Sequence, residues 1–214
     1  MLRKLFERLK SDTDFRAAVL SSGMLLITLA FAVYNGILGI LYSSLWHGSI
    51  CVYYLLLTLI RVFILLSEKR IVKRGDQKER HRRNVFVISS AILLLINLSM
   101  VIPTAFMVKF EKPVNLALIP ALAMAVYTTI KVIMAVHQLK HRTESDNPLI
   151  RELWTINVVD AALSVISLQN TLIMVAGDPG DEGLFLLSAI AGGIIILGTI
   201  AMEVYMFVRE MRQA

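Results

Sequence analysis

The sequence has too few charged residues and too much apolar surface for a soluble domain. Only 18% of its 214 residues are charged, 57% are hydrophobic, and the mean hydropathy is +0.69. A soluble fold of this size cannot bury that much apolar surface. The single cysteine, Cys51, excludes an intrachain disulfide. No segment outside the apolar runs is long enough for a separate soluble domain, so we expect one transmembrane domain over residues 1–214.

Motifs of membrane enzymes are also missing. The chain has no HExxH, GxSxG or P-loop motif. The side chains of His137 and His141 could share a metal ion on one face of a helix, but no third ligand lies near them in the sequence. No run carries the arginine ladder of voltage-gated channels, and the repeated proline-acidic-basic motif of carriers built from three hairpins is absent. We therefore expect no catalytic residue, no metal site and no cofactor.

The sequence does have six long apolar runs. They cover residues 17–42, 46–67, 85–108, 114–138, 153–176 and 184–208. Each reaches about 20 residues, the length that a helix needs to cross a hydrocarbon core about 30 Å thick. The sequence therefore predicts an all-α, polytopic integral membrane protein with six transmembrane helices. Short outer links group these helices as three hairpins.

Lysine and arginine residues are concentrated in alternate connections. The amino-terminal segment, the second and fourth connections and the tail hold five, eight, three and two of them, whereas the other three connections hold only Lys109 and Lys112. By the positive-inside rule, both termini lie in the cytoplasm. The first apolar run is too long for a signal-peptide core. We expect an uncleaved protein in the plasma (inner) membrane of a bacterium.

Two segments outside the apolar runs have their own patterns. In residues 1–14, Leu2, Leu5 and Leu9 recur at helical spacing opposite basic residues, which predicts an interfacial amphipathic helix. Residues 68–84 form a basic cytoplasmic loop. A basic loop beside the membrane attracts anionic lipid headgroups by about 1 kcal/mol per cation. This position favours lipid over nucleic acid as the partner. The sequence does not decide whether the chain forms a homo-oligomer.

Four charged residues lie within the apolar runs: Arg61, Lys131, Asp160 and Glu203. A charge at the centre of a membrane helix costs about 2.5–3.5 kcal/mol. By the predicted topology, all four lie in the cytoplasmic half. In one interpretation they form interhelical ion pairs, or the two cations snorkel to the interface. In the other they line a cavity open to the cytoplasm, where the cations bind an anionic group and a carboxylate exchanges a proton.

Polar residues recur every seven positions in several runs. The sets are Ser21, Thr28 and Asn35; His47, Tyr54, Arg61 and Glu68; Ser90, Asn97 and Thr104; and Asn157, Ser164 and Thr171. Seven residues make two helical turns, so each set forms one stripe. In the fifth run, Asp160 and Ser167 widen the stripe into a polar face. This pattern predicts that the fifth helix faces a polar interior rather than lipid.

The three predicted hairpins also show a short internal similarity. Residues 59–62, 129–132 and 201–204 fall into register, and each segment places one ionisable residue at a similar depth. The match is only four residues wide. A 2+2+2 repeat and chance similarity both stay open.

The predicted substrate- or ion-binding residues are the intramembrane charged residues together with one tyrosine and three side-chain amides. These are Arg61, Lys131, Asp160, Glu203, Tyr54, Asn35, Asn97 and Gln169. The leading hypothesis is a small membrane transporter or channel for an ion or a small polar solute, including an anionic one, with a charged cavity in the cytoplasmic half. The alternative is a non-catalytic membrane sensor, assembly factor or regulatory subunit that acts through the basic loop. An intramembrane enzyme acting on lipid is a third hypothesis.

Overall fold

The computed structural model describes residues 13–74, 78–104, 118–141, 147–176 and 182–212, and these residues form six long helices. They are α1 (Thr13–Leu41), α2 (Leu45–Arg74), α3 (Lys78–Ser99), α4 (Leu118–His141), α5 (Pro148–Ala176) and α6 (Glu182–Arg212). By length and composition, all six are able to cross a membrane. The predicted all-helical membrane class and the number of spanning helices are confirmed.

The basic segment at 68–84 is mostly helical rather than a loop. α2 continues to Arg74 and α3 already begins at Lys78. Glutamate, lysine and arginine are good helix formers, so the polar composition of this segment does not end either helix. The other predicted segment, the interfacial helix at 1–14, lies outside the described residues except for its last two positions, which belong to α1.

α5 is the central helix of the bundle. It contacts each of the other five helices, and a larger share of its span is buried than of any other span. Its polar face is buried as well: Asn157, Asp160, Ser164, Ser167 and Thr171 are at most 3% exposed. The prediction that this face meets a polar interior is therefore confirmed.

The helices pack in a different arrangement from three separate hairpins. α1 packs along α2, and α5 packs on α6, but α4 packs along α5. α3 packs on α2, α5 and α6. Within the described ranges, α3 and α4 are not among the packed helix pairs. The physical reason is that Lys131 of α4 finds its counter-charge, Asp160, on α5.

The turn between α1 and α2 is tight. Ser43 adopts a left-handed conformation with φ of 50°, and the Ser44 amide donates to the Gly39 carbonyl at 3.1 Å. The Ser44 hydroxyl then caps α2 by accepting from the His47 amide at 3.3 Å. A Cβ atom added to Gly39 would lie 3.0 Å from the backbone nitrogen of Gly48. The close approach of these two helices therefore requires glycine at position 39.

We expect Gly39→Ala to lower the melting temperature of the purified protein in detergent. The added methyl group meets the backbone of α2, and such overpacking costs about 1–3 kcal/mol. Gly23→Ala is the matched control, because no atom lies within 4 Å of a Cβ at that position of the same helix. The control should melt at or slightly above the parent temperature. Equal melting temperatures for the two variants would contradict the close approach.

Candidate functional site

Three of the predicted site residues meet in the interior of the bundle. They are Arg61 of α2, Lys131 of α4 and Asp160 of α5, and all three side chains are 0% exposed. Arg61 Nη2 lies 2.6 Å from Asp160 Oδ2. Lys131 Nζ is bound to the same carboxylate oxygen. We call these three residues the charge cluster.

Thr28 of α1 joins the charge cluster to a fourth helix. Its hydroxyl donates to Asp160 Oδ2 at 3.0 Å. The Thr28 hydroxyl oxygen itself accepts from Arg61 Nη1 at 2.6 Å and from Lys131 Nζ at 2.6 Å. One hydroxyl has one donor and two acceptor positions, so the hydrogen-bonding capacity of Thr28 is fully used.

A chain of two amides extends the charge cluster. Arg61 Nη2 donates to Asn157 Oδ1 at 2.8 Å, and the Asn157 amide donates in turn to Gln138 Oε1. The sequence did not single out Thr28 or Gln138 as site residues. Thr28 could have been identified from its place in the seven-residue stripe with Ser21 and Asn35, since all three side chains are buried. Gln138 gave no comparable signal, because it ends the apolar run.

Each residue of the charge cluster lies well inside a candidate membrane span, and its placement in the cytoplasmic half stays a prediction. Arg61 belongs to the span Leu45–Lys73, Lys131 to Ala121–Leu139 and Asp160 to Pro148–Ile173. Both cations are fully buried and both bind Asp160, so they form the interhelical ion pairs of the first interpretation and do not snorkel to the interface.

The charge cluster carries one excess positive charge, since two cations share one carboxylate. Charge at this depth is costly. Two polar atoms of the charge cluster, Asp160 Oδ1 and Arg61 Nε, also have no hydrogen-bond partner among the described residues. The arrangement is therefore suited to accept a further polar or anionic group.

Aromatic rings lie beside the charge cluster. Phe31 of α1 stacks on Tyr127 of α4 with ring centroids 3.4 Å apart. The predicted site residue Tyr54 meets Tyr127 edge-on, with centroids 6.2 Å apart. Lys131 Nζ lies 5.1 Å from the Tyr127 centroid, which gives a cation–π contact. Tyr54 is thus placed next to the charge cluster, as part of its aromatic wall.

Several buried polar atoms near this wall make no hydrogen bond of full strength in the part of the chain that the structure describes. They are the hydroxyls of Tyr54, Tyr127 and Ser167 and the Oδ1 atom of Asn35. The Tyr54 hydroxyl lies close enough to those of Tyr127 and Ser167 for weak hydrogen bonds among the three. The Asn35 amide nitrogen donates to the Phe31 carbonyl at 2.9 Å. An unsatisfied buried polar group costs about 1–3 kcal/mol, so a set of them indicates a place for water or a polar ligand.

Glu203 and Asn97 form a second polar site, separate from the charge cluster. The Asn97 amide of α3 donates to Glu203 Oε1 of α6, and the Tyr53 hydroxyl donates to Asn97 Oδ1 at 2.6 Å. Glu203 is 6% exposed, and its Oε2 atom has no partner within the described ranges. A cavity of about 10 Å³, close to the size of one water molecule, adjoins Tyr53, Asn97 and Thr199. The four intramembrane charges therefore belong to two sites.

Gln169 belongs to neither polar site. It is half-buried on α5, beyond the polar groups that surround Asp160. Its neighbour Asn170 accepts a hydrogen bond from the Ser188 hydroxyl of α6 at 2.5 Å. This part of α5 therefore contributes a helix-helix contact.

No group of three His, Cys, Asp or Glu side chains in the described segments is placed to hold a metal ion. Comparisons with protein-family models, with curated proteins and with solved structures give no match. The molecule is thus an all-helical integral membrane protein. Its proposed function rests on the two buried polar sites, the charge cluster and the site at Glu203 and Asn97.

We expect Asp160→Asn to destabilise the protein far more than Lys131→Met. The first change leaves two buried cations without their shared counter-charge, and breaking such a pair costs about 3–5 kcal/mol. The second removes the excess cation and keeps the pair of Arg61 with Asp160 intact. Thermal unfolding in detergent, followed by size-exclusion chromatography, measures the difference. Equal losses of melting temperature in both variants would contradict the central role of the Asp160 carboxylate.

Proposed function

We propose that this chain is a small secondary transporter for an anionic solute. It works in the plasma (inner) membrane of a bacterium, with both termini in the cytoplasm. The observation that supports this proposal is the charge cluster, in which two cations share one carboxylate at the middle of the bundle. An anionic group bound beside Arg61 and Lys131 removes the excess positive charge, which is costly at this depth.

Burial of the charge cluster favours a transporter over an open channel. Arg61, Lys131 and Asp160 are all 0% exposed, so a solute reaches them only when helices move apart. Arg61 has a planar guanidinium that binds carboxylate or phosphate oxygens in pairs. Asp160 holds both cations in place when no solute is bound and competes with the incoming anion.

The buried polar atoms near the charge cluster, whose hydrogen bonds are weak or missing, favour a solute that is polar as well as anionic. Hydroxyl groups such as those of Tyr54, Tyr127 and Ser167 both donate and accept hydrogen bonds. Asn35 Oδ1 adds an acceptor. A small organic acid that carries a hydroxyl or amino group would satisfy these atoms together with the two cations.

Glu203 supplies the proton coupling in this proposal. Its Oε2 atom is buried and unpaired in the described region, so it can take up a proton while Oε1 keeps its bond to Asn97. The cavity beside Asn97 and Tyr53 is at the lower size limit for one water molecule, and Asn97 links it to Glu203, which does not line it. One monovalent anion and one proton together are electrically neutral, which removes the electrical cost of crossing the membrane.

A non-catalytic sensor, assembly factor or regulatory subunit is the second candidate. The observation in its favour is that residues 68–74 and 78–84 of the basic segment are helical and are joined to each other, since Arg82 is bound to Glu68 through both its Nε and Nη2 atoms. Such a segment presents a shaped surface to a partner. This candidate predicts no solute flux.

We expect purified protein in liposomes to take up at least one of radiolabelled lactate, glycerate and glutamate when a proton gradient is imposed. Lys131→Met should reduce the rate by about tenfold or more, since a hydrogen bond to a charged group contributes about 1.5–3 kcal/mol. Lys69→Met is the matched control, because Lys69 is exposed at the end of α2. Unchanged flux in Lys131→Met would exclude the charge cluster as the binding site. Absence of flux for all three solutes would favour the regulatory candidate.

We also expect water to reach the polar wall during transport. In a Cys51→Ala background, Ser167→Cys should react with a membrane-impermeant thiol reagent, and the transported anion should slow the reaction. Leu197→Cys is the control, because Leu197 is 66% exposed on the apolar surface of the bundle and faces lipid. Full protection of Ser167→Cys in folded protein would indicate a dry core and contradict the transporter.

A further inference from the structure

A groove of about 440 Å³ opens at the basic end of the bundle. The amino-terminal parts of α3 and α5 and the last turn of α6 enclose it, and its lining includes Arg80, Arg83 and Arg151. The apolar spans of these three helices begin or end here. The groove therefore lies where the helices leave the hydrocarbon, at the level of lipid headgroups.

The three arginines give the groove a net positive charge over its two carboxylates, Glu79 and Glu210. Arg151 is paired with Glu210 at 2.9 Å, but its buried Nε atom has no partner within the described segments. Arg83 Nη2 faces the sulfur of Met211 at 3.9 Å, and a thioether is a weak acceptor. Arg80 is exposed.

Two helix amino termini add to this positive charge. α3 begins at Lys78 and α5 begins at Pro148, and both starts adjoin the groove. The amino terminus of a helix carries about half a positive elementary charge. A phosphate group in the groove would interact with both helix dipoles as well as with the guanidinium groups.

The remaining lining is apolar. Phe86 forms a buried floor and stacks on Phe207, with ring centroids 6.4 Å apart. Met211 is 40% exposed and forms part of the wall together with Pro148. A ligand that fits this lining has an anionic oxygen group joined to carbon chains. Glycerophospholipids have this chemistry, and the bilayer holds them next to the groove.

We propose that this groove binds the headgroup of an anionic glycerophospholipid. Arg80 and Arg83 contact the phosphate as bidentate donors, and Arg151 contributes its unpaired Nε–H. The glycerol carbons lie against Met211. Bound lipid joins the ends of α3, α5 and α6 and stabilises their packing. This site is independent of the charge cluster and does not require that the protein transports a solute.

The test compares lipids on delipidated full-length protein in detergent. Phosphatidylglycerol should raise the melting temperature, and native mass spectrometry should detect one retained lipid, whereas phosphatidylcholine should do neither. In Arg83→Gln the apparent affinity for phosphatidylglycerol should fall by about tenfold, in line with the loss of a charge-assisted hydrogen bond. Arg70→Gln is the matched control, because Arg70 is exposed on α2 and does not line the groove. It should retain the parent affinity.

Arg80→Gln provides a second variant, because Arg80 is exposed and its replacement leaves the packed interior unchanged. It should show the same loss of affinity as Arg83→Gln. Equal losses in Arg70→Gln would overturn the proposal in favour of diffuse charge attraction. Stabilisation by inorganic phosphate alone to the same extent would overturn it in favour of a free-anion site. An equal effect of phosphatidylcholine would show that headgroup charge is not recognised.

Discussion

One carboxylate oxygen, Oδ2 of Asp160, holds side chains from three other helices. It accepts from Thr28, Arg61 and Lys131, so α1, α2 and α4 are all tied to α5 at the middle of the bundle. Apolar contacts alone give little preference between neighbours inside a membrane, because lipid tails are as apolar as leucine. Buried charges do give such a preference, since each must meet its partner. The central position of α5 and the packing of α4 on α5 follow from this constraint.

α2 forms a common wall for the two polar sites. Neighbouring residues on a helix point about 100° apart, and Tyr53 and Tyr54 use this difference. Tyr53 donates to Asn97 in the second site, whereas Tyr54 packs against Tyr127 beside the charge cluster. Their rings are in edge-on contact, with centroids 6.1 Å apart. A rotation of α2 would therefore change both sites together, which offers a physical route for coupling a proton at Glu203 to a solute at Arg61.

The periodicity of the sequence indicates which face of a helix is buried, but it does not indicate which helices pack together. Run lengths predicted six spanning helices, and the polar face of the fifth run predicted that Asp160 meets a polar interior. Thr28 and Arg61, which belong to seven-residue stripes, are buried as well. Periodicity does not say which inward faces meet. The four charges summed to zero, so one joint site was a reasonable expectation, yet Glu203 bonds with Asn97 in a separate place. Similarly, the basic residues at 68–84 suggested a loop, although their helix propensity extends α2 and α3 to either side of residues 75–77.

The tight turn at Gly39 has a consequence for how the bundle can open. The close backbone approach there favours movement of α1 and α2 together as one unit, and α4, which packs along α5, forms a second unit with it. The charge cluster lies across the boundary, with Thr28 and Arg61 on the first unit and Lys131 and Asp160 on the second. Separation along this boundary leaves a neutral lysine–aspartate pair on one unit and a lone guanidinium on the other. The excess charge of the closed bundle thus becomes a single exposed arginine in the opened one.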